Sequence, residues 1–177
     1  MLKFTSKDGD NFIFREPKMG DAKSCMKFIN ELVREGAPIT VNEKVTLKEE
    51  KAWLKERIAK IKSGKVFMLV AEKNGEIAAI CEIMGRKYNM AHIGDLGISV
   101  RKKYRRIGIA EAIFREVLKK AVRKGIEIVR LCVYEDNAPA KALYKKLGFV
   151  REALLKNEIK CAGRYKNAYV MSLYLKE

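Results

Sequence analysis

The hydrophobic period of this chain changes from that of a strand to that of a helix just after Val100, and that change limits the folds that the chain can adopt. Before it, three apolar, β-prone segments follow one another at residues 66–72, 76–86 and 92–100. After it, apolar residues recur at helical spacing over residues 109–124. A nearly continuous apolar run at residues 126–134 then indicates a strand buried on both faces. The pattern predicts an antiparallel meander that a crossover helix joins to a parallel strand.

The other segments complete a mixed sheet. Thr46 and Glu49 have the spacing of a capping box, which opens a helix that ends near Gly64, and Asp21 can cap an earlier helix. The remaining elements are helices at residues 22–35 and 137–147 and strands at residues 11–15, 150–156 and 167–175. We therefore expect one α/β (α+β) domain over residues 1–177. Its sheet is mixed and mostly antiparallel, with six to seven strands and about four helices on both faces.

Bulk properties narrow the classes of partner. The formal charge is +16, but the positive residues are spread along the whole chain, and they do not interleave with aromatics as in a single-strand binding platform. A nucleic-acid partner is therefore not predicted. No apolar run can span a bilayer and the first residues lack a signal peptide, so we expect a cytoplasmic protein without a membrane partner. The four cysteines form no CxxC pair; this predicts reduced thiols, mostly in or near the core, and no metal site.

The junction between the third strand and the long helix carries the clearest chemical signal. Gly108 and Ala110 are small enough for a ligand to approach the backbone, and the helix that begins here presents free N–H groups and the positive end of its dipole. Five positive side chains lie in the same stretch: Arg101, Lys102, Lys103, Arg105 and Arg106. Together these features predict an anion site suited to a pyrophosphate. The alternative is an ordinary strand-to-helix connection with a basic surface.

Two motifs then suggest a family. Arg105-x-x-Gly108-x-Ala110 has the form Q/R-x-x-G-x-G/A, and residues 137–149 read N-x-x-A-x-x-L-Y-x-x-x-G-F. In this order and in these elements, they resemble the signatures of the GNAT family of N-acetyltransferases, most closely its ribosomal-protein and amino-acid-like branches. The resemblance covers residues 66–175 well, whereas the first 60 or so residues fit by position and helix count.

The resemblance implies a GNAT fold with a splayed parallel strand pair, and transfer of an acetyl group from acetyl-CoA to a primary amine by direct attack in a ternary complex. The amine can belong to a protein N-terminus, a lysine or a small molecule. In such proteins the strand before the loop binds pantetheine, the loop amides bind the pyrophosphate, and an asparagine can contact the pantetheine arm. The implied cofactor-binding residues are Ile98, Ser99, Val100, Arg105, Arg106, Ile107, Gly108, Ile109, Ala110, Asn137 and Tyr144.

One catalytic residue follows from the resemblance, and a second is chosen by its position in the chain. Tyr144 would protonate the departing thiolate; the alternative is an aromatic residue packed on the sheet. The base that deprotonates the amine is left open among Asp95, His92, Glu82 and water. Asp95 is preferred because it lies nearest the splayed strands. Asn167 departs from the family pattern, since many relatives carry Asp at this position.

Other functions stay open at this point. The chain can also be a non-catalytic module that binds CoA or nucleic acid, and a homodimer is left open. The positive net charge disfavours cationic acceptors unless the cleft is locally acidic. Glu31, Glu35 and Glu43, near the first two helices, could supply such acidity.

Overall fold

The computed structural model describes residues 1–161 and 163–175, in which eight strands form a single sheet. The strands are β1 (Leu2–Thr5), β2 (Asn11–Arg15), β3 (Val66–Lys73), β4 (Glu76–Gly85), β5 (Ile93–Val100), β6 (Ile128–Tyr134), β7 (Val150–Cys161) and β8 (Arg164–Tyr174). The helices are α1 (Ala22–Arg34), α2 (Leu47–Lys62), α3 (Ile109–Val122) and α4 (Ala138–Lys146). Short 3-10 turns precede α1, β5 and α3.

The order of strands in the sheet is β1-β2-β3-β4-β5-β6-β8-β7. All neighbours are antiparallel except β5 and β6, which α3 connects as a crossover. This parallel pair is short: residues Ile93 to Asp95 pair with Ile128 to Arg130, and the two strands have no further pairing among the described residues. The predicted mixed α/β fold with one parallel pair is confirmed.

Helices cover both faces of the sheet. On one face, Phe28 and Leu32 of α1 pack with Met68 and Val70 of β3. On the other face, α3 and α4 cover a larger cluster that includes Leu69 of β3. Because neighbouring residues of a strand point to opposite faces, the central strands are buried on both sides, which explains their nearly continuous apolar sequence.

The expected number of six to seven strands is wrong by at least one, because β1 was not predicted. Its four residues are mostly exposed, so they carry no burial pattern. Pairing with β2, for example of Leu2 with Phe14, defines the strand instead. The expectation for the cysteines is also half wrong, since Cys132 and Cys161 are exposed.

No helix in residues 1–161 and 163–175 is long and apolar enough to cross a membrane.

Candidate active site

The parallel strands part after three residue pairs and leave an opening in the middle of the sheet. We call this opening the seam; it is bordered by residues 96–100 of β5 and 131–134 of β6. The other edge of β5 is fully paired with β4, for example Ile98 with Cys81 and Gly97 with Glu82. Backbone donors and acceptors on the seam side have no strand partner, so an extended ligand with amide groups can bind there as an additional strand would. This is where Ile98, Ser99 and Val100 were predicted to bind the cofactor.

The loop at the end of β5 exposes backbone donors. Arg106 (φ 68°) and Gly108 (φ 88°) both adopt the left-handed conformation, and Gly108 is the N-cap of α3. Among the described residues, the N–H groups of Arg106, Ile107 and Gly108 donate no hydrogen bond. The first-turn N–H groups of α3, which include those of Ile109 and Ala110, add to them. Such a concave set of amides at a helix N-terminus binds phosphate oxygens.

Three of the five positive side chains in this stretch pair with carboxylates of the protein. Arg101 is only 4% exposed; its Nε donates to the carbonyl of Ile77 at 3.1 Å and its guanidinium pairs with Glu31. Lys103 Nζ lies 2.6 Å from a carboxylate oxygen of Glu76.

Arg105 is the third engaged cation. It pairs with Glu35 at the end of α1, and its Nε donates to the carbonyl of Val100 at 3.0 Å. It therefore helps to hold the loop in place, as the resemblance implies. Lys102 and Arg106 are exposed and form no ion pair within the described residues, so these two can meet an incoming anion.

On the face of the sheet that α3 and α4 cover, Asn137 and Tyr144 lie two turns apart, at the N-cap and within α4. Asn137 is the N-cap, and its Oδ1 accepts from the Ala140 N–H at 3.3 Å. Tyr144 is 8% exposed and packs against Phe149, with ring centroids 5.6 Å apart. Its hydroxyl makes no hydrogen bond within residues 1–161 and 163–175. Burial, and secondarily the nearby Cys81 of β4, raise the pKa of the Tyr144 hydroxyl, which keeps it protonated at neutral pH.

The three side chains proposed as the base, Asp95, His92 and Glu82, lie in different environments. Asp95 lies where β5 and β6 part, but both of its carboxylate oxygens accept from Arg86, at 2.8 and 2.6 Å. His92 is exposed in the turn before β5, not in the strand as predicted. Glu82 lies across from Gly97 of β5 and points to the α1 and α2 side of the sheet.

Glu82 lines a cavity of about 330 Å³ between α1, α2 and the seam. Gly97, Ile98 and Ser99 form the floor of this cavity. The Glu82 side chain is 18% exposed and its Oε2 lies 3.3 Å from Arg57 Nε, without hydrogen-bond geometry. Burial raises the pKa of Glu82, against the opposing effect of Arg57 and Lys60. The raised pKa makes this carboxylate, at the opening of the seam, a stronger base than an ordinary glutamate.

The acidic lining of this cavity differs from the expected one. Glu31 and Glu35 are engaged by arginines of the loop, and Glu43 is exposed outside the cavity. The cavity is instead lined by Glu49, Glu50 and Glu82.

Sequence reasoning missed the wall that α2 contributes. Glu50, Trp53 and Arg57 are spaced at i, i+3 and i+7, so they lie on one side of the helix, and all three line the cavity. Trp53 lies between the two charged residues on this side of the helix. The same spacing could have placed the two charged residues beside it.

Comparison with known proteins agrees with this geometry. The L-amino acid N-acetyltransferase AaaT of Escherichia coli (strain K12) is 32% identical over 106 residues, which are 59% of this chain and 65% of that protein. The chain thus matches just under two thirds of that relative. A GNAT-family acetyltransferase of Streptococcus pneumoniae has a TM-score of 0.82 at 27% identity, over 92% of this chain and 99% of that one.

A ribosomal-protein-alanine N-acetyltransferase of Brucella melitensis has the same fold, with a TM-score of 0.82 at 22% identity over 92% of this chain and 99% of that one. The sequence profile described as "Acetyltransferase (GNAT) family" matches residues 28–149. That stretch includes α1, the strands that border the seam, the loop after β5 with its free amides, and α4. It is more than half of the chain. The chain belongs to the GNAT family of acetyltransferases.

Proposed function

We propose that this protein transfers an acetyl group from acetyl-CoA to a primary amine by direct attack in a ternary complex. The observation that carries the proposal is the seam, which connects the free amides of Arg106 to Gly108 with the Glu82 cavity on the opposite face. One bound thioester can thus reach an amine through the sheet. The Escherichia coli relative is named for L-amino acids and the Brucella melitensis structure for ribosomal-protein alanine, so a small-molecule or protein amine is the acceptor class.

The residues present fit acetyl-CoA. The free amides after β5, with Lys102 and Arg106 beside them, suit a diphosphate. The unpaired edge of Ile98 to Val100 suits the amide groups of the pantetheine arm. Asn137 uses Oδ1 as a helix cap, which leaves its Nδ2 donors for the same arm. Acetyl-CoA supplies the activated acetyl group; the residues of the chain hold it and move protons. We further propose that one domain of residues 1–177 performs this reaction in the cytoplasm.

Glu82 is the base that we propose. The amine must lose a proton to attack, and Glu82 lies in the cavity at the seam, whereas Asp95 is engaged by Arg86 on both oxygens. In this scheme Asp95 is a positioning residue that fixes Arg86 and the strand ends where the seam opens. The backbone N–H groups of β5 that face the seam can stabilise the negative charge developing on the acetyl oxygen.

Tyr144 is the proton donor that we propose for the leaving sulfur. Its hydroxyl is on the α4 side of the seam, near Cys81, the residue of β4 that pairs with Ile98 of β5, and burial keeps it protonated. The raised pKa makes this phenol a weaker acid than an ordinary tyrosine, so its donation depends on the high basicity of the thiolate that forms next to it.

The test is free-thiol release from acetyl-CoA with a panel of primary amines, followed by mass spectrometry of the acceptors. We expect release and a mass gain of one acetyl group. Tyr144→Phe and Glu82→Gln should each lower kcat by about 100-fold or more, with acetyl-CoA affinity changed less than about threefold. Tyr174→Phe is the matched control, because Tyr174 is exposed and its hydroxyl donates to Glu152 at 2.7 Å, away from the seam.

Two outcomes would contradict the scheme. Tight acetyl-CoA binding without thiol release from any amine would indicate a non-catalytic CoA-binding module. A larger loss of kcat in Asp95→Asn than in Glu82→Gln would return the role of base to Asp95.

A further inference from the structure

The cavity contains a buried carboxylate without a partner. Glu50 is 6% exposed and lines the cavity, yet its side chain makes no hydrogen bond or ion pair within the described part of the chain. Buried carboxylates are normally paired, because burial of an unpaired charge is costly. The first turns of α2 favour a negative charge by only about 0.3–1 kcal/mol, which is less than burial opposes.

The neighbouring acids are engaged, and Glu50 is not. Glu49 is exposed and accepts from the backbone N–H of Thr46 at 2.7 Å in the capping box. Glu82 lies beside Arg57. Glu50 is therefore the carboxylate of the cavity that has no hydrogen-bond or ion-pair partner among the described residues.

The position of Glu50 separates it from the reacting end of the cavity. Seven residues, or two turns, separate Glu50 from Arg57, which places them about 10 Å apart along α2. Because Arg57 contacts Glu82, the two carboxylates lie toward opposite ends of the cavity. Apolar side chains line the space around them: Phe28, Ile29, Val41, Val45, Trp53 and Ile80.

We propose that the acceptor is a linear aliphatic diamine or a compound with the same two cationic nitrogens. One ammonium pairs with Glu50, the methylene chain lies along the apolar wall beside Trp53, and the second nitrogen reaches Glu82 and the seam. This inference rests on the proposed acetyl transfer and specifies its substrate class. It also explains how a chain of charge +16 can attract a dication, since the cavity is acidic although the surface is basic.

The titration of Glu50 agrees with this arrangement. Burial raises the pKa of Glu50 to about 7. The groups that face it are the buried thiol of Cys25 on α1, Glu49 beside it on α2, and Arg57 and Glu82 at the far end of the cavity. Of the described residues that line the cavity, Arg57 is the only cation, and it already contacts Glu82. A bound ammonium favours the ionised carboxylate. It would therefore supply the positive partner that Glu50 lacks among the described residues.

The test compares 1,5-diaminopentane with 1-aminopentane, which share the reacting end and differ in the second nitrogen. In the wild-type protein we expect kcat/KM to be at least about tenfold higher for the diamine, the effect of one net charge-assisted contact. Glu50→Gln should reduce this ratio to about one. Glu43→Gln removes an exposed carboxylate outside the cavity and should keep the ratio. A ratio that is equal in the wild-type protein and Glu50→Gln would overturn the proposal.

A second readout does not depend on turnover. Trp53 is the single tryptophan of the chain and lines the cavity, so its fluorescence reports binding of 1,5-diaminopentane in the absence of acetyl-CoA. We expect saturable binding that is weakened about tenfold or more in Glu50→Gln. If 1-aminopentane is acetylated but the diamine is neither preferred nor bound, this inference fails and acetyl transfer stands. If the diamine binds through Glu50 but no amine releases thiol, acetyl transfer fails and the cation site stands.

Discussion

At Glu50, burial and charge oppose each other, and this opposition makes stability depend on pH. The pKa of Glu50 is about 7 in the folded protein and about 4.5 for an ordinary glutamate. As pH rises through this window, the unfolded chain loses its proton first, so the free energy of unfolding falls between about pH 4.5 and 7. The folded protein then carries a penalty of up to about 3 kcal/mol above pH 7.

Glu50→Gln should remove this penalty. We expect the variant to gain stability over the wild-type protein at pH 8 by up to about 3 kcal/mol more than it does at pH 4.5, as measured by urea unfolding at both values. Glu43→Gln serves as the control, because its carboxylate is exposed. The same difference between Glu50→Gln and the wild-type protein at both pH values would show that Glu50 is not held neutral by burial.

Asn167, which departs from the family pattern, also has a local explanation. Its Oδ1 accepts from the N–H of Asn157 at 3.0 Å, and its Nδ2 donates to Glu135 at 2.9 Å. An aspartate could accept the first bond but would repel the carboxylate of Glu135. The amide therefore joins the β7–β8 hairpin to the end of β6 in a way that an acid could not.

At the scale of elements, the start of α3 is the structure on which cofactor binding depends. Gly108→Glu should raise the dissociation constant of acetyl-CoA by about 100-fold or more, because it adds bulk and negative charge where the free amides lie. Isothermal titration calorimetry measures the effect directly.

Gly125 provides a matched control at the other end of the same helix. It has the same φ of 88° as Gly108, and a Cβ atom there would contact nothing within 4 Å. Gly125→Glu therefore introduces the same left-handed strain, about 1–2 kcal/mol, but should leave acetyl-CoA affinity within about threefold. Equal affinities of the two variants would show that the phosphates bind elsewhere.

How far the sequence predicted these elements depends on their periodicity. The helices and the central strands were predicted because burial leaves a repeating apolar pattern. The loop after β5 was predicted as an anion site because its small and basic residues are contiguous. β1 was missed, and β7 and β8 were predicted too short, since β7 is exposed along most of its length. Glu50 was missed because a buried acid looks like a surface residue until its helix is placed against the sheet.

For the molecule as a whole, the charge of +16 is distributed and does not form a single binding surface. Lysines occur on α2, which covers one face of the sheet, and on α3 and α4, which cover the other. Several of the positive side chains are engaged, as Arg101 and Arg105 are. This distribution favours weak and non-specific attraction of polyanions over a nucleic-acid site.

We therefore expect binding to duplex DNA to be independent of sequence and strongly salt-dependent. Fluorescence anisotropy should show an affinity that falls by about 100-fold or more between about 50 and 200 mM salt, with a dissociation constant weaker than about 1 μM at the higher value. Submicromolar binding that persists at 200 mM salt and is displaced by acetyl-CoA would instead support a nucleic-acid-binding module.

The brief pairing of β5 with β6 divides the sheet into two leaves. One leaf contains β1 to β5 and the other contains β6, β8 and β7, and three residue pairs hold them together like a hinge, with α3 spanning the joint. In the proposed reaction the acyl group lies in the seam beside this junction. We therefore expect packing at the junction, where Gly94 lies directly against Ile83, to limit the size of the acyl group that the seam accepts, as the side chains lining the seam also do.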